Sequence, residues 1–210
     1  MSDPLPYGPV LTRLAEPMRR AFLVVNRRVA APALRRGGGV LLATPLAGSI
    51  LLLTTTGRVS GERREVPLCY AVVDGAVVVV AGYGHAAQWY RNAVAHPEVE
   101  VTLPAAAFAG RAVEVVDDDA RVRAMRVVAA SMGVAGRSTL GDVAAMPDDE
   151  VLALARTLPM LAITPTAVLP GPFDPGGAAT RAVLAAWLAL PLVPLVPLVG
   201  RAVRAWRRRG

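Results

Sequence analysis

The chain has 210 residues, 54% of them apolar and 19% charged, long enough for one domain with a sizeable core and richer in apolar residues than is usual. Every basic residue is arginine, and the net charge of +7 sits at the ends: residues 1–36 hold seven Arg against two acids, residues 201–210 hold five Arg and no acid, and the stretch between holds eleven Arg against fourteen acids. That distribution excludes nucleic-acid binding by the central part and makes an anionic membrane surface the better partner for the ends.

From Val10 to Val29, Leu11, Leu14, Met18, Phe22, Val25 and Val29 recur at helical spacing opposite Arg13, Arg20 and Arg27, a basic amphipathic pattern that Pro17 divides into two helices. Such a segment either packs on the domain or lies on a membrane surface. No apolar leader precedes these arginines, so no secretory signal is expected and the chain reads as cytoplasmic, with contact at the inner membrane face. Gly37–Gly39 end the helix, and the uncharged stretch to Leu53 feeds a buried strand. That strand, Ile50–Thr56, stops at Gly57, after which Arg58, Ser60, Arg63 and Arg64 crowd a turn punctuated by Gly57 and Gly61. Backbone N–H groups freed at such a turn, with guanidinium forks beside them, suit a phosphate or carboxylate; the alternative is a hairpin with solvated arginines.

Glu65–Val73 and Ala76–Tyr83 flank Asp74-Gly75, which predicts a two-residue hairpin. Gln88–Ala95 predicts a short helix stopped at His96-Pro97, and Glu98–Leu103 alternates as a strand with one wet face, with Phe108–Val116 as its neighbour. Asp117–Asp119 open a helix to about Met132, and Pro147–Glu150 open another to Thr157. Pro159–Thr164 supplies a last strand, and the Pro- and Gly-rich Pro165–Gly177 holds the domain boundary. Ala182–Gly200 is uncharged and is followed by five arginines; Pro191, Pro194 and Pro197 favour an interfacial or re-entrant membrane anchor over a true span, with an extended segment in a groove as the alternative. The single Cys69 excludes a disulfide framework, and His85 and His96 lack paired ligand spacing, so no metal site is expected.

TTTGRxSGxxRxVPL from Thr54 to Leu68, a Tyr at 70, the Asp-Gly hairpin, the Val-rich strand, WYxN at Trp89–Asn92 and the HPEVEV run together resemble the deazaflavin-dependent nitroreductase family, over roughly Leu41–Thr166. The resemblance implies an α+β fold, a split β-barrel of the FMN-binding kind with flanking helices and an apolar C-terminal tail. It divides the chain into a basic helical segment (1–40), the barrel (41–166), a linker (167–180) and the tail (181–210). It also implies coenzyme F420, with the anionic tail of the cofactor on Arg58, Ser60, Gly61 and Arg64, and the ring along Pro67, Ala81, Gly82 and Tyr83 near Trp89 and Tyr90. Tyr70 is the implied catalytic donor to an acceptor oxygen. Val59 stands where the family often carries lysine, which predicts a weaker hold on the tail unless Arg63 compensates. No serine lies near Gly82, which argues against nitro reduction in particular. The expected function is hydride transfer from the reduced deazaflavin to a quinone, enone or nitro compound. Alternatives are an FMN-using oxidoreductase on the same barrel and a non-catalytic lipid- or quinone-binding protein at the membrane. Trp89 and Tyr90 are equally expected as plain core aromatics.

Overall fold

The computed structural model describes residues 31–35, 48–104, 106–171 and 181. The amphipathic segment expected over 10–29 and the tail expected over 182–200 lie outside these residues. The chain divides into two units, Met1–Phe173 and Asp174–Gly210, and every described element but Arg181 belongs to the first. No helix among the described residues is long and apolar enough to cross a membrane.

Six strands, β1 (Ile50–Thr56), β2 (Arg63–Val73), β3 (Ala76–Val80), β4 (Glu98–Thr102), β5 (Ala107–Glu114) and β6 (Met160–Leu169), close into an antiparallel barrel in the order β1-β2-β3-β6-β5-β4. Its interior follows from period-two alternation. Leu51 and Leu53 of β1, Val77 and Val79 of β3, Val99 and Val101 of β4, Phe108 and Ala112 of β5, and Leu161 and Ile163 of β6 form one buried cluster. Each fully buried side chain of this size contributes ~1.5–3 kcal/mol relative to exposure. The predicted hairpin is present, with Val73 paired to Ala76, and both turn residues adopt positive φ, Asp74 at 51° and Gly75 at 80°. Only Asn, Asp and Gly enter that region at low cost, which is why this dipeptide marks the turn.

Helices seal the outside. The barrel's outer face at Ala71 and Val78 packs against α3 (Asp118–Ser131), α4 (Gly133–Leu140) and α5 (Asp148–Thr157), with Met125, Val128, Val151 and Leu158 buried between them. Asp117 caps α3 as its sequence promised, accepting a hydrogen bond from the Ala120 N–H at 2.8 Å. Elsewhere, α1 (Ala31–Arg35) places Ala31 and Leu34 on Leu52.

Three expectations change. The Val-rich strand ends at Val80 rather than Tyr83: the Ala81 N–H makes a last ladder bond to Pro159 O at 2.9 Å, and the Gly84 N–H then turns back onto Ala81 O at 2.8 Å. The last strand runs on through Pro165 to Leu169, because β5 continues to pair with it beyond a bulge at Ala109/Gly110 that Gly110 accommodates. The helix Gly133–Leu140 is additional; its glycines and small residues carry no helical pattern, and it forms beside the core built by α3.

Candidate functional site

The register of β2 creates an opening in the barrel wall. Its first half, Arg63–Cys69, pairs with β1, while Tyr70–Val73 pairs with β3, so among the described residues no strand pairs with the other edge of Arg63–Cys69. The Tyr70 N–H donates to Ser49 O at 3.1 Å. By antiparallel alternation, Pro67 then lies at a position whose N–H would face the open side, where its absence costs no ladder bond. On the inner face of this half-strand, Val66, Leu68 and Tyr70 touch the barrel core yet remain only half-buried. Burial nevertheless pushes the Tyr70 phenol above its ordinary value.

Across from this edge, the chain leaves β3 through Ala81–Tyr83, makes a short 3-10 turn at Gly84–Ala86 and enters α2 (Gln88–Ala95). Ala81 is buried, Gly82 half-buried and Tyr83 exposed, all in the turn after β3 rather than along the strand itself. Trp89 is half-buried and packs on the same core cluster as Val66, Leu68 and Tyr70. Tyr90 is 5% exposed, set edge-on to His85 and Trp89 at ring-centroid distances of 5.6 and 6.3 Å. Burial, and then the hydrogen-bonded carboxylate of Glu114, push its phenol well above the ordinary range. Tyr90 is thus buried within the barrel's core cluster.

The arginine-rich turn satisfies most of its own backbone. The Gly57 N–H donates to Glu62 O (2.8 Å), Gly61 N–H to Gly57 O (2.7 Å), Glu62 N–H to Ser60 Oγ (3.3 Å) and Arg58 N–H to Asn92 Oδ1 (3.2 Å). Gly61 supplies the positive φ of 67° that the turn needs. Among the described residues, the Val59 and Ser60 N–H groups at the tip make no hydrogen bond, and the Ser60 hydroxyl proton remains to be donated. The turn thus offers fewer backbone donors than its glycines implied, gathered at a tip where Val59 is 91% exposed.

The three arginines diverge. Arg58 Nη1 donates to Gln88 Oε1 (2.9 Å) and Asn92 Oδ1 (3.2 Å) of α2, which ties the turn to the helix carrying Trp89 and Tyr90. Arg64 shares the inner-face row with Val66, Leu68 and Tyr70 by alternation, and its Nη2 meets Glu62 at 2.6 Å. Arg63 lies on the opposite face, in a two-pronged pair with Glu100 at 2.7 and 2.8 Å. The hydrogen bond to Glu100, ahead of the Coulomb attraction, raises the guanidinium pKa further, and Arg63 points to the face opposite Arg64.

The structure therefore places Arg58, Ser60, Gly61 and Arg64 on or beside one turn, joined through Arg58 to the helix of Trp89, with Tyr70 and Trp89 on one core cluster, Pro67 on β2 and Ala81–Tyr83 in the turn after β3. Asn92 and Gln88 were missed as site residues. Asn92 belongs to the WYxN run and stands four residues after Gln88, so one helix face presents both amides, but nothing local reveals that they meet a turn 34 residues earlier. Among the described residues no group of three His, Cys, Asp or Glu side chains is placed to hold a metal ion.

Similar barrels occur among solved structures. They include an F420H2-dependent reductase, 25% identical, the match covering 55% of this chain and 93% of that one at a TM-score of 0.38. A conserved hypothetical protein from Mycobacterium tuberculosis is 18% identical over 68% of this chain and 91% of its own, at 0.43. The haem storage protein HutZ from Vibrio cholerae is 14% identical over 60% and 91%, at 0.40. A family model described as F420H(2)-dependent quinone reductase matches residues 26–142, more than half of the sequence and all of the opening from β1 to α2, and the chain belongs to that enzyme family.

Proposed function

We propose that this chain binds reduced F420 in the opening beside β2 and transfers its hydride to a small electron-poor acceptor of the quinone class. The observation that carries the reading is the union of two binding surfaces by Arg58, which joins a turn with anion donors at its tip to the helix bearing Trp89. The residues present fit the cofactor's two ends. The Val59 and Ser60 N–H groups, the Ser60 hydroxyl and the guanidinium groups of Arg58 and Arg64 would hold its anionic tail. The half-buried apolar row of Val66 and Leu68, with Pro67 and Trp89, would hold its ring. The reduced cofactor supplies a hydride and is left oxidised; a quinone takes up that hydride and one proton and leaves as the hydroquinone.

The protein's own task is to bind, orient and keep water out. Tyr70, half-buried on the inner face, donates a hydrogen bond to the acceptor oxygen. With its phenol raised above the ordinary 10.0, it stays protonated and polarises the acceptor rather than surrendering its proton, which comes from solvent. Since burial raises the Tyr70 phenol, Tyr70 is expected to contribute no titration to turnover through neutral pH. The test is quinone-dependent oxidation of reduced F420, followed by the return of deazaflavin absorbance, for the natural chain and Tyr70→Phe. The reading expects quinone-dependent turnover that Tyr70→Phe slows about tenfold without unfolding the protein. Absence of turnover with every quinone tried would sink it.

A further inference from the structure

We infer that Asn92 is a positioning residue for anion binding: it sets the Arg58 guanidinium from behind, so the hold on the cofactor's tail depends on an amide that does not touch the tail. The inference rests on the cofactor site proposed above. It starts from burial. Asn92 is 6% exposed, one of three buried polar residues among those described, with Thr54 and Thr55. A buried amide survives only where its polar atoms are paired. Its Oδ1 accepts two hydrogen bonds, both at 3.2 Å and both from Arg58, one from the backbone N–H and one from Nη1. One oxygen therefore fixes both the main chain of the turn and the side chain that leaves it.

Gln88 completes the arrangement. Its Oε1 takes a second bond from Arg58 Nη1 at 2.9 Å, while its Nε2 donates back to Ala86 O at 3.3 Å. The two acceptors lie four residues apart on α2 and converge on one nitrogen. An arginine has five N–H donors; with the Nη1 pair so occupied, those on Nη2 and Nε remain for an anion in an orientation set by the helix. Tyr90 and Ala93 bury α2 in the barrel core, so the reference point for Arg58 is the core rather than the exposed tip at Val59. Held this way, the side chain loses less freedom when an anion arrives.

The test is a double-mutant cycle on tail recognition. Dissociation constants are measured by fluorescence titration for full F420 and for the same deazaflavin cut back to its ribityl chain, and their ratio isolates the contribution of the tail. Asn92→Leu should raise the ratio of the F420 constant to the ribityl-deazaflavin constant about tenfold in the natural background and leave it unchanged in an Arg58→Ala background, with ribityl-deazaflavin affinity unaltered in both. An equal loss in the Arg58→Ala background would mean that Asn92 meets the ligand itself, and no loss in either would mean that it only packs; each overturns the inference. If Asn92→Leu fails to fold, the exposed Gln88→Leu carries the same cycle with a smaller expected loss, and its failure to act through Arg58 counts equally against the idea. A natural chain that binds neither ligand overturns the cofactor site as well. One that binds F420 normally while the cycle shows no coupling overturns only this inference.

Discussion

Both halves of β2 carry apolar residues on the inner side or beneath the helices, and those residues meet different fates. In the second half, Ala71 is buried beneath α3 while β3 pairs alongside. In the first half, Val66 and Leu68 face the core yet stay half-exposed where no described strand pairs with their other edge, while Tyr70 beside them already pairs with Val79 of β3. Apolar side chains left half-wet beside an unpaired edge forgo stability that a neighbouring strand would supply. One strand thus passes from β1 to β3 as its partner, and the change at Tyr70 divides its half-exposed inner row from the buried Ala71.

Substitutions that respect this division should separate stability from binding. The largest effect is expected in the closed region, where Met125 is fully buried between α3 and the barrel. Met125→Ala should lower unfolding free energy by ~2–5 kcal/mol in denaturant titration, with ring affinity retained wherever the protein remains folded. In the open half the balance should reverse. Arg64→Ala should weaken F420 binding by ~1.5–3 kcal/mol, the scale of a hydrogen bond to a charged group, and leave the thermal midpoint nearly unchanged. An unaltered dissociation constant would return Arg64 to a solvated turn residue. A smaller effect, opposite in sign, is expected at Glu62, whose carboxylate occupies Arg64 Nη2 at 2.6 Å where an anion would compete for it. Glu62→Gln should tighten F420 by up to ~1 kcal/mol at low salt, an advantage that shrinks as ionic strength rises.

The smallest effect belongs to the outer-face ion pairs. Hydrogen bonds from Arg63 and Arg156, reinforced by Coulomb attraction, hold the Glu100 and Asp118 carboxyls below their ordinary 4.5 and 3.8. A folded-state value below the unfolded one contributes stability in full above the ordinary pKa, and that contribution is lost as pH falls through the folded value. A shallow decline in the thermal midpoint should therefore begin below about pH 4.5 and flatten in the Arg63→Gln variant. Because both pairs are solvent-exposed, a steep acid transition removed by that single change would contradict this account.

Much of the scaffold is legible in sequence because its signals are local. Asp74-Gly75, the Asp117 cap and the His96-Pro97 stop each act within a few residues and appear where expected. The glycine-punctuated turn that carries Arg58, Ser60 and Gly61, with Arg64 just after it, was legible too, since Gly61 takes the positive φ its position implied. Its wiring was not. That Arg63 turns away to Glu100 and that both the Arg58 N–H and its guanidinium are held by Asn92 depend on contacts more than 30 residues apart in the chain. The open edge was equally hidden, because a partner change in the middle of β2 follows from where β3 ends, and β3 ends where Ala81 meets Pro159. No periodicity in β2 records it.

The most direct test of the central claim is a side-by-side fluorescence titration of the purified chain with F420 and with FMN, at one salt concentration and matched pH. The account predicts saturable binding of the deazaflavin at least tenfold tighter than FMN, with the advantage reduced in Arg64→Ala. Equal or tighter binding of FMN would contradict it.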